Sequence, residues 1–482
     1  MQLSTLKLTP SQENALSALE RFIQAKNEHV FVLKGYAGTG KTTLMRELIR
    51  MLTKNDHVFA VMASTGRAAK VLSDKTGIKA KTIHSTIYKF KDLDQDLDEL
   101  SKRYNENQVA SKSDNHGQLS LLFELVPVQT NANNRSIVYI VDEASMVSDK
   151  VDGTSSFAKF GTGNLIQDLF LYDPNGKFIF VGDPAQLPPI NQKFSPALSA
   201  PHLAETYRKQ AVESELREIL RQDAHSGIVK ASMQMRRFYQ NPPAVKFPPI
   251  PLKGHREIML VGSHAALLNR YIDQIRRHGY DACTLIGQTN RICAELNTTI
   301  RNVLYSNPTG VQPNDLLMVV QNNYIVPLVN GDLVKVVNIG KREYRAGLTF
   351  IEVTVEEMAS KVRYETLLVE NTLNDSITNI TETQHRALLI EYNSRMKTRG
   401  INQKSPLFRE LMMSDPYLNA LRCSYGYALT CHKTQGGEWN TVYLYLDNKI
   451  YGIKPPEFYQ WLYTAITRAK VELVVVNDWF IK

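Results

Sequence analysis

The chain has 482 residues, of which 43% are hydrophobic, and a formal net charge of +9. That length exceeds one hydrophobic core and predicts several globular domains, while the positive balance points to a polyanionic partner. No apolar run is long enough to span a bilayer, residues 1–10 lack a signal-peptide core, and the four cysteines form no C-x-x-C pair, which excludes a membrane protein, a disulfide framework and a zinc ribbon and suits a reducing cytoplasm.

Thr9-Pro10-Ser11-Gln12 opens a helix, with Thr9 as N-cap and Pro10 at its first position. Gln12 precedes a glycine-rich loop by the length of a helix and a strand, where its amide can offer a donor and an acceptor to an adenine edge. Residues 29–33 (HVFVL) predict a buried strand. Gly35-Tyr36-Ala37-Gly38-Thr39-Gly40-Lys41-Thr42 then has phosphate-loop spacing. Gly38, Thr39 and Gly40 let successive N–H groups turn toward phosphate oxygens, Lys41 reaches the β- and γ-phosphates, and the Thr42 hydroxyl suits Mg²⁺. Thr43 starts a run of helical spacing, so the phosphates meet a helix N-terminus. These residues predict ATP and Mg²⁺ as cofactors.

Residues 58–63 (VFAVMA) predict a second strand that ends in Ser64-Thr65-Gly66-Arg67. Thr82-Ile83-His84-Ser85 repeats the theme after a short loop. Residues 85–135 interrupt the core: segments 86–90 (TIYKF) and 121–126 (LLFELV) read as a hairpin bearing Phe90 and Phe123. The acidic stretch between them fails as a calcium loop, because Leu97 stands where glycine is needed and Arg103 where the bidentate glutamate belongs. A solvated helix or flexible tip is expected there. Residues 137–141 (IVYIV) deliver Asp142 and Glu143, paired acids suited to holding Mg²⁺ and polarising water. Residues 178–181 (FIFV) deliver Gly182-Asp183-Pro184-Ala185-Gln186, with Gln186 placed to contact a γ-phosphate or position water. Four apolar runs with polar residues at their carboxyl ends are the pattern of an open parallel sheet that binds ligand.

A second α/β unit is readable in residues 282–286, 442–446 and 473–476. A proline-rich stretch near 242–251 predicts a rigid loop. Residues 303–417 interrupt the second unit: segments 330–337 and 348–355 predict a small β-barrel, and 385–421 a helical, basic run that is a solvated face or a DNA clamp.

The order of these motifs resembles the superfamily 1 helicases, in particular the RecD-like and phage Dda-like branch that moves 5′ to 3′ on single-stranded DNA. The resemblance runs from Gln12 to Arg468. It implies two RecA-like motor domains: a first from 1–84 and 136–190 with a hairpin or pin insertion at 85–135, and a second from 191–302 and 418–482 with an SH3-like barrel and helical insertion at 303–417. Leu203-Ala204-Glu205-Thr206-Tyr207-Arg208 is similar to the motif with an arginine finger, which implies Arg208 on the γ-phosphate and Tyr207 on the base. Tyr427 to Glu438 is similar to the motif joining nucleotide and DNA, which implies Glu438 at the nucleotide and Thr430 and His432 at the strand. Tyr463-Thr464-Ala465-Ile466-Thr467-Arg468 implies Arg468 as a second finger. Gly287-Gln288-Thr289-Asn290 implies a DNA contact at Asn290, joined by Thr65, Arg67 and His84, with Phe90 or Phe123 on the pin.

An ATP hydrolase that translocates on single-stranded DNA and opens forks is therefore expected, with Lys41, Asp142, Glu143, Gln186, Arg208 and Arg468 carrying hydrolysis. The resemblance implies a cytoplasmic monomer of a bacterial or phage-infected cell, working with replication or repair proteins. A DNA-stimulated switch or loader, or an RNA motor, shares the same two-lobed engine.

Overall fold

The computed structural model describes residues 8–107, 120–128, 136–151, 158–219, 226–245, 247–374 and 379–482. A first sheet holds six parallel strands in the spatial order Lys81–Thr82, Phe59–Ala63, Val138–Asp142, Lys177–Gly182, Val30–Gly35 and Ala211–Leu216. Its central strands are apolar because both faces are covered. Leu19, Phe22, Leu44 and Leu48, from helices Pro10–Gln24 and Lys41–Lys54, pack on Phe31 and Leu33. Leu169, Leu198 and Leu203 pack on Val30, Val32, Phe178 and Phe180 from the other side.

This sheet extends past the boundary expected at residue 190. The strand Ala211–Leu216 lies beside the phosphate-loop strand, Val30 opposite Ala211 through Gly35 opposite Leu216. Its alternating polar sequence suits a sheet edge, and Glu213 there pairs with Lys34 at 2.6 Å.

The hairpin pairs strands Tyr88–Leu93 and Leu121–Leu125, with Phe90 opposite Phe123. A short third strand, Ala158–Phe160, runs parallel to the latter and was not expected. Residues 108–119, part of the stretch between the hairpin strands where a solvated helix or flexible tip was expected, lie outside the described residues. The helix Leu97–Asn107 before them buries Leu97 and Leu100 of its first turn, where a solvated helix was expected. Leu93, Leu97 and Leu100 share a small core with Leu389, Tyr392, Met396, Phe408 and Met412. The latter come from helices Glu382–Thr398 and Pro406–Ser414 of the other insertion. Leu97 and Leu100, three positions apart, share a helix face, and a facing partner buries it in a segment that reads as polar.

The second parallel sheet has the order Ile258–Val261, Ala469–Val476, Trp439–Leu444, Cys283–Gly287, Ala428–Thr430. An antiparallel, barrel-like sheet of Arg363–Val369, Leu348–Glu357, Leu333–Arg345, Leu316–Val319 and Cys423–Tyr425 follows from its insertion. That sheet docks on helix Gly66–Thr76 of the first lobe, where Lys70 meets Asp332 and Glu357. The approach is tight: a Cβ at Gly66 would lie 1.9 Å from Val329 Cγ2. In the basic helical run Arg395 is held by Glu391 and Asp415, and Lys397 by Asp98, so these charges are partly used within the protein. All four cysteines are buried and unbridged. Among the described residues no helix is long and apolar enough to cross a membrane.

Candidate nucleotide cleft and strand-facing edge

The phosphate loop joins the strand Val30–Gly35 to the helix Lys41–Lys54. Gly38 and Gly40 have φ of 80° and 79°, a left-handed backbone that glycine adopts without Cβ strain. Gly35 is needed for space, since a Cβ there would come within 2.8 Å of Lys41 Cγ. Lys41 Nζ donates to the carbonyls of Gly35 at 2.7 Å and Tyr36 at 3.2 Å. Thr39 is buried and its hydroxyl donates to Tyr36 O at 2.8 Å, which closes the turn.

Gln12 does not offer a free amide to a base. Its Oε1 accepts from Thr9 N–H at 3.0 Å as part of a capping box, and Nε2 donates to Thr39 O and Gly40 O, each at 3.3 Å. With both ends engaged, Gln12 braces the loop from behind.

In front of the loop lies a cleft of about 550 Å³ between the two parallel sheets. It gathers Gly38, Gly40, Lys41, Thr42, Thr43, Asp142, Glu143 and Gln186 from the first lobe and Glu438 and Arg468 from the second. Asp142 ends the strand Val138–Asp142. Burial, with the charge of Glu143 adding to it, pushes its carboxyl above the usual carboxylate range. Glu143 adopts φ 50°, a left-handed conformation that costs a non-glycine residue about 1–2 kcal/mol. Gln186 is 4% exposed, and among the described residues its Oε1 has no hydrogen-bond partner. Arg468, also 4% exposed, is aimed by three bonds: Nε to Thr464 O at 3.0 Å, Nη1 to Gly437 O at 3.2 Å and Nη2 to Thr467 Oγ1 at 3.1 Å. Among the described residues no carboxylate pairs with it. Arg46 and Lys75 line the same cleft and had not been expected. Arg46 was legible as a basic residue one turn past Lys41 on the helix that caps the phosphates.

Tyr207 and Arg208 are not in this cleft. They end the helix Ala200–Tyr207, which precedes the strand Ala211–Leu216. That strand is parallel to the phosphate-loop strand, so both residues lie at the opposite end of the sheet, a strand's length of ~20 Å from the loop. Tyr207 bonds to Asn164 and packs its ring on Phe170. A second leucine–arginine run, Leu216 to Gln222, lies at the strand's carboxyl end. Of that run, residues 220–222 lie outside the described residues.

Thr65 follows the strand Phe59–Ala63 and caps the helix Gly66–Thr76. His84 follows Lys81–Thr82, Asn290 follows Cys283–Gly287, and Thr430 ends Ala428–Thr430 with His432 just beyond. All therefore sit at carboxyl ends of parallel strands, although Thr430 is only 8% exposed. His84 packs edge-on to Phe160 at 5.1 Å, and Phe160 stacks on Phe123 at 4.5 Å. Phe123 is thus committed to packing, while Phe90 remains half-buried at the hairpin edge. Arg67 is not on a DNA-facing surface. It lies 4.4 Å over the Trp439 ring at the seam of the lobes, and burial lowers its guanidinium to about 10.

Comparisons with known proteins agree with this architecture. Residues 7–241 match the family described as an AAA domain, and residues 425–476 match the UvrD-like helicase C-terminal domain. The ATP-dependent DNA helicase dda of Enterobacteria phage T4 is 40% identical over 81 residues, a stretch of 17% of this chain and 18% of that protein. A structure of two coordinating Pif1 helicases at forked dsDNA aligns over 99% of this chain and 93% of its own, with a TM-score of 0.51 and 14% identity. A Pif1 helicase from Bacteroides with ADP-AlF3 and ssDNA aligns over 99% of this chain and 94% of its own, with a TM-score of 0.48 and 14% identity.

Proposed function

We propose that the chain is a Dda- and Pif1-like superfamily 1 helicase, in which ATP hydrolysis between two RecA-like lobes drives it 5′ to 3′ along single-stranded DNA and opens forks ahead. The observation that carries this reading is the cleft itself: a phosphate loop on one lobe faces Arg468 on the other. Phosphoryl transfer depends on positioning and charge stabilisation, and an arginine from the far side makes both conditional on closure.

Lys41 and the loop N–H groups hold the phosphates. Glu143 polarises the attacking water, and Gln186, whose Oε1 is a buried acceptor awaiting a donor, orients it. Thr42 and Asp142 hold Mg²⁺; a carboxyl raised by burial beside a second acid is a place that a divalent cation stabilises. When bound, that ion offsets charge on the phosphates. Arg468 neutralises charge that develops in transfer, and Glu438 borders the nucleotide from the second lobe.

Thr65, His84, Asn290 and His432 follow the strand through phosphate and sugar contacts, which predicts weak sequence preference and strong salt dependence. Phe90, the half-buried hairpin aromatic, meets the fork. The first lobe comprises residues 8–84 and 136–219, since its edge strand ends at Leu216. The protein works as a cytoplasmic monomer.

Strand displacement on 5′-tailed and 3′-tailed duplexes tests the reading. Opening of the 5′-tailed substrate alone is expected. ATPase without displacement on either tail points instead to a DNA-stimulated switch, and a preference for 3′ tails overturns the polarity.

A further inference from the structure

Tyr463 lies in the helix Glu457–Ile466 of the second lobe and is 2% exposed. Its hydroxyl accepts from the Ala37 N–H of the phosphate loop at 2.9 Å and donates to Asp183 Oδ2 at 2.7 Å. Ala37 and Asp183 both belong to the first lobe. One hydroxyl from the second lobe thus ties the phosphate loop to the segment that carries Gln186. Asp183 is fully buried, and its other oxygen accepts from Ala185 N–H at 2.9 Å. Burial and the Asp183 carboxylate keep the phenol protonated, which fixes it as the donor of that pair.

Neighbours on the second lobe grip the same segment. Leu187 N–H donates to Thr464 Oγ1 at 2.9 Å, and Gln435 Nε2 donates to Leu187 O at 3.0 Å. Two residues beyond the helix end, Arg468 enters the cleft. A single rigid element therefore carries both the arginine that faces the phosphates and the hydroxyl that holds the loop beneath them.

We propose that Tyr463 is a positioning residue for hydrolysis, whose hydroxyl sets the Ala37 turn and the Asp183–Gln186 segment in register when the lobes close. The proposal rests on the reading of the cleft as an ATPase site. Its physical basis is that opening the seam removes one partner from a half-buried N–H and one from a buried carboxylate. Both loops then relax, and reaction geometry degrades steeply with small displacements. Closure by the second lobe is in this way reported to the phosphate loop directly, besides through Arg468. The ring itself packs in the second lobe's core beside Leu462 and Ile466, so a phenylalanine keeps that packing and removes only the bridge.

The test is Tyr463→Phe in the full chain. DNA-stimulated kcat is expected to fall about 10- to 100-fold, while KM for ATP and affinity for an oligo(dT) strand stay within about 3-fold. Asp183→Asn weakens the same bridge from the first lobe, and the double variant should be no slower than the slower single one, because Tyr463→Phe already removes the bond that the asparagine weakens. Wild-type kcat in Tyr463→Phe, losses that multiply in the double variant, or KM and DNA affinity collapsing together with kcat would each overturn the proposal. If Tyr463→Phe fails to fold, Asp183→Asn decides alone: wild-type kcat rejects the proposal and a kcat loss at constant KM supports it. Lys41→Ala is the separate control on the ATPase reading; undiminished hydrolysis in that variant rejects the reading itself, whatever Tyr463 does.

Discussion

Lys70 reaches from the first lobe to Asp332 in the barrel-like sheet at 2.5 Å, and the same ammonium lies 2.8 Å from Glu357. The two carboxylate side chains are 3% and 5% exposed, so the lysine is the cation that offsets their burial. Lys70→Ala leaves both without it. A loss of about 2–4 kcal/mol is expected, between the values for exposed and buried pairs. Urea unfolding at low and high salt measures this; the loss should change little with salt, since buried charges are poorly screened.

Arg468 and Arg208 make opposite predictions. Arg468→Ala is expected to lower kcat by about 10³-fold or more, with ATP affinity changed only a few-fold. Arg208→Ala, at the far end of the sheet, should hydrolyse ATP at the wild-type rate. Steady-state ATPase assays with saturating DNA separate the two, and a large kcat loss in Arg208→Ala would contradict its placement.

The hairpin aromatics divide into packing and contact. Phe123 stacks on Phe160, and Phe123→Ala is expected to cost about 3 kcal/mol of local stability and to lower strand displacement with it. Phe90 itself packs edge-on to Phe123 at 5.7 Å, so Phe90→Ala should cost some stability, less than Phe123→Ala, and lower displacement while leaving ATPase near wild type. Displacement, ATPase and thermal unfolding of both variants check the division.

Acid should loosen the second insertion through His385. Burial, with the charge of Arg422 adding to it, holds its imidazole down at about 3. An unfolded histidine titrates near 6.5, so between these values the unfolded chain binds the extra proton. The stability from this group is whole above about pH 6.5 and is lost as the pH falls toward 3. One proton corresponds to a slope of about 1.4 kcal/mol per pH unit, which His385→Gln should remove. Denaturant unfolding of both proteins between about pH 6.5 and pH 4 reads the difference in slope.

The parts of this molecule that were legible in its sequence are local. The phosphate loop, Asp142-Glu143 and Gln186 each follow a run of apolar residues, and a strand feeding a polar turn is written in a dozen consecutive positions. Arg208 was misplaced because a leucine–tyrosine–arginine spacing near residue 207 occurs ahead of the edge strand, whereas ligand-facing residues follow strands. The polar alternation of residues 211–216 hid that strand, since an edge exposes one side. The helix Leu97–Asn107 reads as polar because its partner lies some three hundred residues away in the chain. Gln12 carries the right chemistry for adenine, yet its amide is consumed by Thr9, Thr39 and Gly40. Tyr463 shows the same limit: a buried tyrosine in an apolar helix signals packing, and only the fold brings Ala37 and Asp183 to its hydroxyl.

The sealed cysteines have a practical outcome. Burial pushes the thiols of Cys283, Cys293 and Cys431 up to about 12 and that of Cys423 higher still. With all four thiols buried as well, slow labelling of the folded protein by maleimide at neutral pH is expected. A reporter pair introduced on the outer helices of the two lobes can then be labelled without first stripping the native sulfurs, and fluorescence transfer between the dyes reads the distance between the lobes.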